Sequence, residues 1–159
     1  MNFYIFLDVL ITIGGRGPDS QSVLSNYFNT ETDLNCSIAN LPEYNNGHAA
    51  IKAKMGILSC GGTSKKCWRL TDNFAWTSFP SMNEKRSYFT LNQIKNRLVA
   101  VGGVGVEDSL EYIDFNTGKE WTTKTLNDEL ISFHCSITLD DRFIWMIGGY
   151  INGEVNKII

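Results

Sequence analysis

Short apolar runs followed by paired glycines recur along the whole chain. The runs occupy residues 9–13, 57–60, 98–101 and 143–147. The pairs that follow them are Gly14 and Gly15, Gly61 and Gly62, Gly102 and Gly103, and Gly148 and Gly149. Successive pairs are 47, 41 and 46 residues apart. A period in this range is typical of repeat proteins, in which each unit buries its apolar face against its neighbours.

One unit is clearest between residues 86 and 124. Its continuous apolar run is short and is typical of a strand that is buried on both faces. Alternating apolar and polar residues flank this run, and polar turn signals separate the segments. The glycine pair ends the run because glycine tolerates a positive φ and a close backbone approach. We predict four antiparallel strands, at residues 86–91, 98–101, 109–114 and 120–124.

The other units repeat this order, and no long window has the spacing of an amphipathic helix. The first unit is predicted to begin at its second strand. The last unit is predicted to begin with a strand at residues 132–139 and to stop inside its third strand. We place the units at residues 1–44, 45–82, 83–128 and 129–159. The pattern therefore predicts an all-β chain with two whole units between two partial ones.

Units of this size with four short strands are typical of the blades of a β-propeller. The order of an apolar strand, Gly-Gly, an aromatic or apolar strand and then Trp resembles the kelch-repeat propellers of the galactose oxidase and kelch-like superfamily. Trp76 and Trp121 occupy the Trp position, and Arg86 stands where that family has Arg between blades. Asn45 replaces this Arg in the preceding unit.

The same alignment places His48, Phe89 and His134 at equivalent positions of successive units. A metal ligand would not be replaced by Phe, so we expect these side chains to have a packing or hydrogen-bonding role. The chain contains about three and a half units, whereas closed propellers have about four to eight blades. We therefore expect an incomplete propeller; the alternative is a four-bladed ring closed by the terminal strands.

Charge and hydropathy exclude some classes of partner. The net charge is −3, and basic residues form no run longer than a pair, so we expect no nucleic-acid partner. No stretch approaches the roughly 18 apolar residues of a membrane helix, so we expect no membrane insertion. The apolar start resembles a signal peptide but lacks basic residues and is interrupted by Asp8. We interpret residues 9–13 as a strand.

The cysteines leave two interpretations open. Cys60 ends an apolar run and Cys67 begins the next strand, so a hairpin would bring them within bridging distance. Asn35-Cys36-Ser37 is also a glycosylation sequon, which has meaning only in a secreted protein. Both features favour an extracellular over a cytoplasmic location. The alternative is four buried thiols, since free Cys packs as a small apolar residue.

Catalytic, cofactor and metal motifs are not recognisable. Residues 103–108 begin like a dinucleotide fingerprint but lack the third glycine and a following helix, and no GxSxG elbow is present. We expect no enzyme activity and no cofactor. The resemblance implies an alternative, in which the chain is part of a kelch-fold enzyme such as a copper radical oxidase with catalytic residues outside this chain. A non-functional gene fragment is a third interpretation.

Fold analogy favours a protein-interaction module whose protein partner the sequence does not identify. Function concentrates on loops, and the variable loops lie at residues 16–21, 63–66, 104–108 and 150–154. Among the charged residues of these loops, we predict that Arg16, Glu107 and Asp108 contribute to binding.

Intact-mass analysis tests the predicted Cys60–Cys67 bridge. Alkylation without reductant should modify two thiols, Cys36 and Cys135, because the bridged pair cannot react. The same treatment after reduction should modify all four cysteines and serves as the control. Four modified thiols without reductant would rule the bridge out.

Overall fold

In the part of the chain that the structure, a computed structural model, describes, antiparallel β-strands are the only regular elements. It describes residues 2–6, 9–15, 22–29, 31–33, 35–106, 108–126, 131–151 and 154–155. Within these residues no helix has the length and apolar character needed to cross a bilayer. The all-β prediction is confirmed.

Three four-stranded sheets follow one another along the chain, each with its strands paired in sequence order. The first contains β1 (Asn2–Phe6), β2 (Val9–Gly15), β3 (Ser22–Asn29) and β4 (Asn35–Ile38). The second contains β5 (Ala49–Ala53), β6 (Gly56–Cys60), β7 (Cys67–Leu70) and β8 (Trp76–Phe79). The third contains β9 (Thr90–Ile94), β10 (Arg97–Val101), β11 (Ser109–Asp114) and β12 (Thr122–Thr125).

The fourth unit consists of two separate strand pairs. Its main hairpin joins β13 (Cys135–Leu139) to β14 (Phe143–Ile147). A short pair follows, of β15 (Tyr150–Ile151) and β16 (Glu154–Val155). The described chain thus contains three complete four-stranded sheets and one unit that pairs differently.

The prediction that the first unit begins at its second strand is wrong. Strand β1 pairs with β2 along its whole length, from Asn2 opposite Ile13 to Phe6 opposite Val9. Residues 3–13 contain one charged residue, Asp8, with predominantly apolar residues on either side of it. The hydropathy pattern therefore does not show that this apolar segment forms two strands.

The predicted strands at residues 86–91 and 132–139 begin later than expected, at Thr90 and Cys135. Tyr88 and Phe133 both have φ of 56°. This left-handed conformation is incompatible with an extended strand. The first strand of each of these units therefore begins after its aromatic residue.

The sheets stack face to face, and their second strands carry the core. Ile11 and Ile13 of the first sheet pack against Ile57 and Leu70 of the second. On the other face of the second sheet, a larger cluster joins it to the third sheet. Its central members are Leu58, Cys60, Leu98 and Ala100.

Val99 and Val101 lie on the opposite face of β10 and pack with Ile144 of the fourth unit. Successive residues of the run 98–101 therefore contact different neighbouring sheets. This explains why the run is apolar throughout rather than alternating.

A glycine and a ring meet at each junction between units. The pairs are Gly14 with His48, Gly61 with Phe89, and Gly102 with His134. A Cβ on Gly14 would lie 2.8 Å from His48 Cε1, and one on Gly102 would lie 2.9 Å from His134 Cε1. Only glycine leaves room for the ring, and its φ of 57° to 72° at the three positions is also one that favours glycine. The three ring residues thus occupy equivalent positions, as the repeat predicted, and the structure places these positions at the junctions between units.

The two predicted tryptophans also make the same contact in successive units. Trp76 Nε1 donates a hydrogen bond to the Ala39 carbonyl, and Trp121 Nε1 donates one to the Pro80 carbonyl, both at 2.8 Å. Each Trp therefore ties the last strand of its unit to the segment that enters that unit. The polar end of the indole is satisfied while its rings pack in the core.

The Arg86 guanidinium fixes the segment that enters the third sheet. It is fully buried and its Nε donates to Glu111 Oε1 at 3.0 Å. Its terminal nitrogens donate to the Gly102 carbonyl and to the carbonyl and hydroxyl oxygens of Ser109. The Glu111 carboxylate also accepts the backbone N–H groups of residues 83 and 84. These hydrogen bonds offset the free energy of desolvating the two charges. Removing either partner would strongly destabilise the fold, because it would leave a buried charge without compensation.

Replacing His48 with Phe should reduce the acid sensitivity of the fold. Burial lowers the pKa of His48 to about 4, so between pH 6.5 and 4 the unfolded chain binds a proton that the folded chain does not. Stability therefore falls as the pH falls through this window, by about 2 to 3 kcal/mol at pH 4.5 for this one group. Urea unfolding of wild type and His48→Phe at pH 7.5 and 4.5 measures the difference.

Phe89 already fills this position in the next unit, so the variant should fold. The carboxylates titrate equally in both proteins and cancel in the comparison. If wild type and His48→Phe lose the same stability between pH 7.5 and 4.5, the lowered pKa of His48 is contradicted.

Candidate functional site

The strand ends form two rims, and the predicted loops lie on the one that follows the glycine pairs. This glycine rim contains the β6–β7 and β10–β11 loops and the segments that connect the units. The opposite rim contains the β5–β6, β7–β8 and β9–β10 turns. Arg16, the rest of the loop at 16–21, and Glu107 lie outside the described residues.

Loop 63–66 is held firmly at its base. Cys60 and Cys67 face each other across β6 and β7 and are joined by a disulfide, with Sγ atoms 2.06 Å apart. The Thr63 N–H donates to Asn45 Oδ1 at 3.0 Å, and the Thr63 hydroxyl donates to the Tyr44 carbonyl. The loop is therefore bound to the segment that enters its own sheet.

Glu43 completes this attachment. Its carboxylate accepts hydrogen bonds from Lys66 Nζ at 2.7 Å, from the Ser64 hydroxyl at 2.8 Å and from Trp68 Nε1 at 3.4 Å. Partial burial alone would raise the pKa of Glu43, but these hydrogen bonds outweigh it and lower the pKa below its usual value. The polar groups of this loop satisfy one another, which leaves few of them for a partner.

Loop 104–108 is more open. The Val104 side chain is exposed, and no atom of the described residues lies within 4 Å of the place where a Cβ on Gly105 would stand. Asp108 is exposed, while its carbonyl accepts the Leu126 N–H at 2.7 Å. Val104 and Asp108 are therefore accessible at the two ends of a loop that is anchored at Asp108.

Three aromatic rings form a row on the glycine rim. The aromatic row consists of Tyr88, Phe133 and Tyr150. The first two rings stack with centroids 4.0 Å apart and planes 17° apart. The Tyr150 ring meets the edge of Phe133 at 5.8 Å and 78°. The three side chains are 38%, 52% and 44% exposed, so the row is a continuous aromatic surface open to solvent.

A repeated backbone conformation carries the row. Gly47, Tyr88 and Phe133 are equivalent positions, each just before the inter-unit ring, with φ of 72°, 56° and 56°. The Tyr88 N–H donates to the Gly47 carbonyl and the Phe133 N–H donates to the Tyr88 carbonyl, both at 2.8 Å. For residues other than glycine this conformation costs about 1–2 kcal/mol. Strain of this kind is concentrated at functional sites.

The row is continuous with loop 104–108. Val104 forms a β-bridge with Ser87, next to Tyr88, and Tyr150 forms the equivalent bridge with Ser132, next to Phe133. Sequence reasoning included Tyr150 in a variable loop but placed Tyr88 and Phe133 within regular strands. Gly47 was the signal that could have found them, because a glycine at one member of a repeat position marks a positive φ.

Other surface features lie away from this rim. A depression of about 600 Å³ on the opposite rim is lined by residues that include Met55 and Phe74. A second, of about 500 Å³, includes Arg97, Asp114 and Arg142. Among the described residues no three His, Cys, Asp or Glu side chains converge as metal ligands would.

No protein-family model and no curated protein matches the chain. The kelch resemblance is carried by the glycine pairs, Trp76, Trp121 and Arg86. It stays a prediction from the sequence.

Backbone strain at the row predicts an unusual order of stability among variants. Phe133→Gly should be more stable than Phe133→Ala by about 1 kcal/mol, because both lose the ring but only Ala retains the left-handed strain. Tyr150 does not have a positive φ, so there the order should reverse and Ala should be the more stable. Urea unfolding of the four variants measures both differences, and the same order at both positions would contradict the strained backbone.

Proposed function

We propose that the chain is a non-enzymatic protein-interaction module built from kelch-type propeller blades, and that it binds a protein partner through the glycine rim. The aromatic row carries this proposal. Three exposed rings in a row, each in contact with the next and two of them on strained backbone, are difficult to explain by stability alone.

The row has the properties of a binding surface. Tyr and Phe provide a large contact area at low conformational cost, since only two side-chain torsions must be fixed. The stacking of Tyr88 on Phe133 and the backbone hydrogen bonds beneath them hold both rings in place before a partner arrives. Preorganisation of this kind improves affinity because less freedom is lost on binding.

The surroundings indicate the chemistry of the partner. An apolar or proline side chain would fit the ring faces, and a guanidinium would gain from stacking on them. Loop 104–108 adjoins the row and contains Glu107 and Asp108. We therefore propose a protein segment with an apolar anchor flanked by Lys or Arg.

The architecture supports the propeller part of the proposal. Each complete unit is a four-stranded antiparallel meander, and successive units stack through equivalent residues. The glycine–ring contact and the Trp-to-carbonyl hydrogen bond recur at equivalent positions of successive units. This repetition is the property that blades of one propeller share.

Affinity capture with matched variants tests the proposed function. The full chain and its variants would serve as bait, with quantitative mass spectrometry of the proteins retained from extracts of its source. Phe133→Gly removes the central ring of the row and relieves its strain, and Glu107→Lys with Asp108→Lys reverses the charge of the adjoining loop. We expect both variants to lose the proteins that wild type retains.

Phe74→Gly is the matched control. Phe74 is 44% exposed and has φ of 57°, like Phe133, but lies on the β7–β8 turn of the opposite rim. Its removal should leave the recovered proteins unchanged. Equal recovery by wild type and Phe133→Gly would refute the role of the row, and unchanged recovery after charge reversal would remove the loop from the proposal.

A further inference from the structure

One face of the fourth unit presents apolar side chains to solvent. The β13–β14 register pairs Ile137 with Trp145 and Cys135 with Ile147, which places these residues on one face. Leu139 and Phe143 pair on the same face. Trp145 is 60% exposed and Ile147 is 40% exposed. We call the surface formed by these six residues the open face.

The equivalent positions of the other units are buried. Counted back from each glycine pair, Trp145 and Ile147 correspond to Ile11 and Ile13, to Leu58 and Cys60, and to Val99 and Val101. All six of these residues are buried, and each pair packs on the unit that follows it in sequence. The open face is therefore the surface that docks the next sheet at three junctions of this chain.

Gly148 repeats this relation. The first glycines of the other pairs each contact the ring of the following unit. Among the described residues, no atom lies within 4 Å of the place where a Cβ on Gly148 would stand, although its φ of 70° matches theirs. Trp145 is exposed, whereas Trp121 is buried and Trp68 and Trp76 pack against a core cluster.

The sequence and strand register of the first sheet match those of a sheet with a neighbour on each face. Its described apolar contacts, through Ile11 and Ile13, are with the second sheet. The positions that alternate with these two residues are Leu10 and Thr12, which the register pairs with Ile5 and Phe3. Three of these four residues are apolar in sequence, as expected for a strand pair with a sheet on each side.

We propose that copies of this chain associate head to tail, with the open face of one copy docked on the first sheet of the next. The contact continues the stacking that joins the sheets within the chain. A head-to-tail contact closes into a ring where the rotation allows and otherwise propagates. Two copies bring eight stacked units, four from each chain, which is at the upper end of the roughly four to eight blades of closed propellers.

Sedimentation velocity over a concentration series tests the association. Wild type should shift to larger species as its concentration rises. Trp145→Arg should sediment as a single chain over the same range, because a charge on the open face cannot be buried there without a partner. Thr122→Arg adds the same charge at an exposed position of β12 and should associate like wild type.

The Cys135 thiol provides an independent measurement. Cys135 is exposed and unbridged, and lies on the open face opposite Ile147. In a Cys36→Ser chain, its rate of reaction with a thiol reagent should fall as concentration rises, in proportion to the fraction of free open faces. Adding Trp145→Arg should make the rate independent of concentration.

Three results would overturn the proposal. A wild-type chain that remains single at every concentration would assign the open face to a different partner, such as a further repeat or another protein. Association of Trp145→Arg equal to that of wild type would locate the contact elsewhere. A Cys135 rate that does not change while wild type associates would show that the open face stays uncovered.

Discussion

The contact between a glycine and the ring of the next unit determines how this chain is organised. At each of three junctions a Cβ in place of the first glycine would collide with His48, Phe89 or His134. The sheets can approach closely only because this atom is absent, and close approach brings their apolar second strands into one core. Each of the first three glycine pairs in the sequence therefore marks one junction between neighbouring units.

Two different polar solutions fix the segments that enter the sheets. Arg86 is surrounded by hydrogen-bond partners of its own unit, with Glu111 as its counter-charge. Asn45 at the equivalent position instead accepts the N–H of Thr63 and orders the loop that the disulfide closes. The repeat thus conserves a buried polar anchor at this position while its chemistry changes. On the same rim, loop 63–66 is hydrogen-bonded to this anchor, whereas Val104 and Asp108 of loop 104–108 are exposed.

The spacing of the glycine pairs predicts the parts of the fold that repeat. Local residue propensities give wrong predictions where a unit departs from the repeat. The phase of the glycine pairs correctly aligned His48, Phe89 and His134, because one short period relates them. Tyr88 and Phe133 were assigned to strands since aromatic residues favour strands, and nothing in their own sequence shows a left-handed backbone. Strand β1 was missed because one apolar segment supplies two strands. The exposure of Trp145 depends on what covers the fourth unit, which no local pattern contains.

The aromatic row crosses from one unit to the next, and this has a thermodynamic consequence. Tyr88 enters the third sheet and Phe133 enters the fourth unit, yet their rings are 4.0 Å apart. A ligand seated across both rings would contact two units at once and would bind best when they are stacked. By linkage, ligand binding and the cohesion of the units must then strengthen each other. A substitution that weakens the packing between these two units would therefore also weaken the binding of such a ligand to the aromatic row.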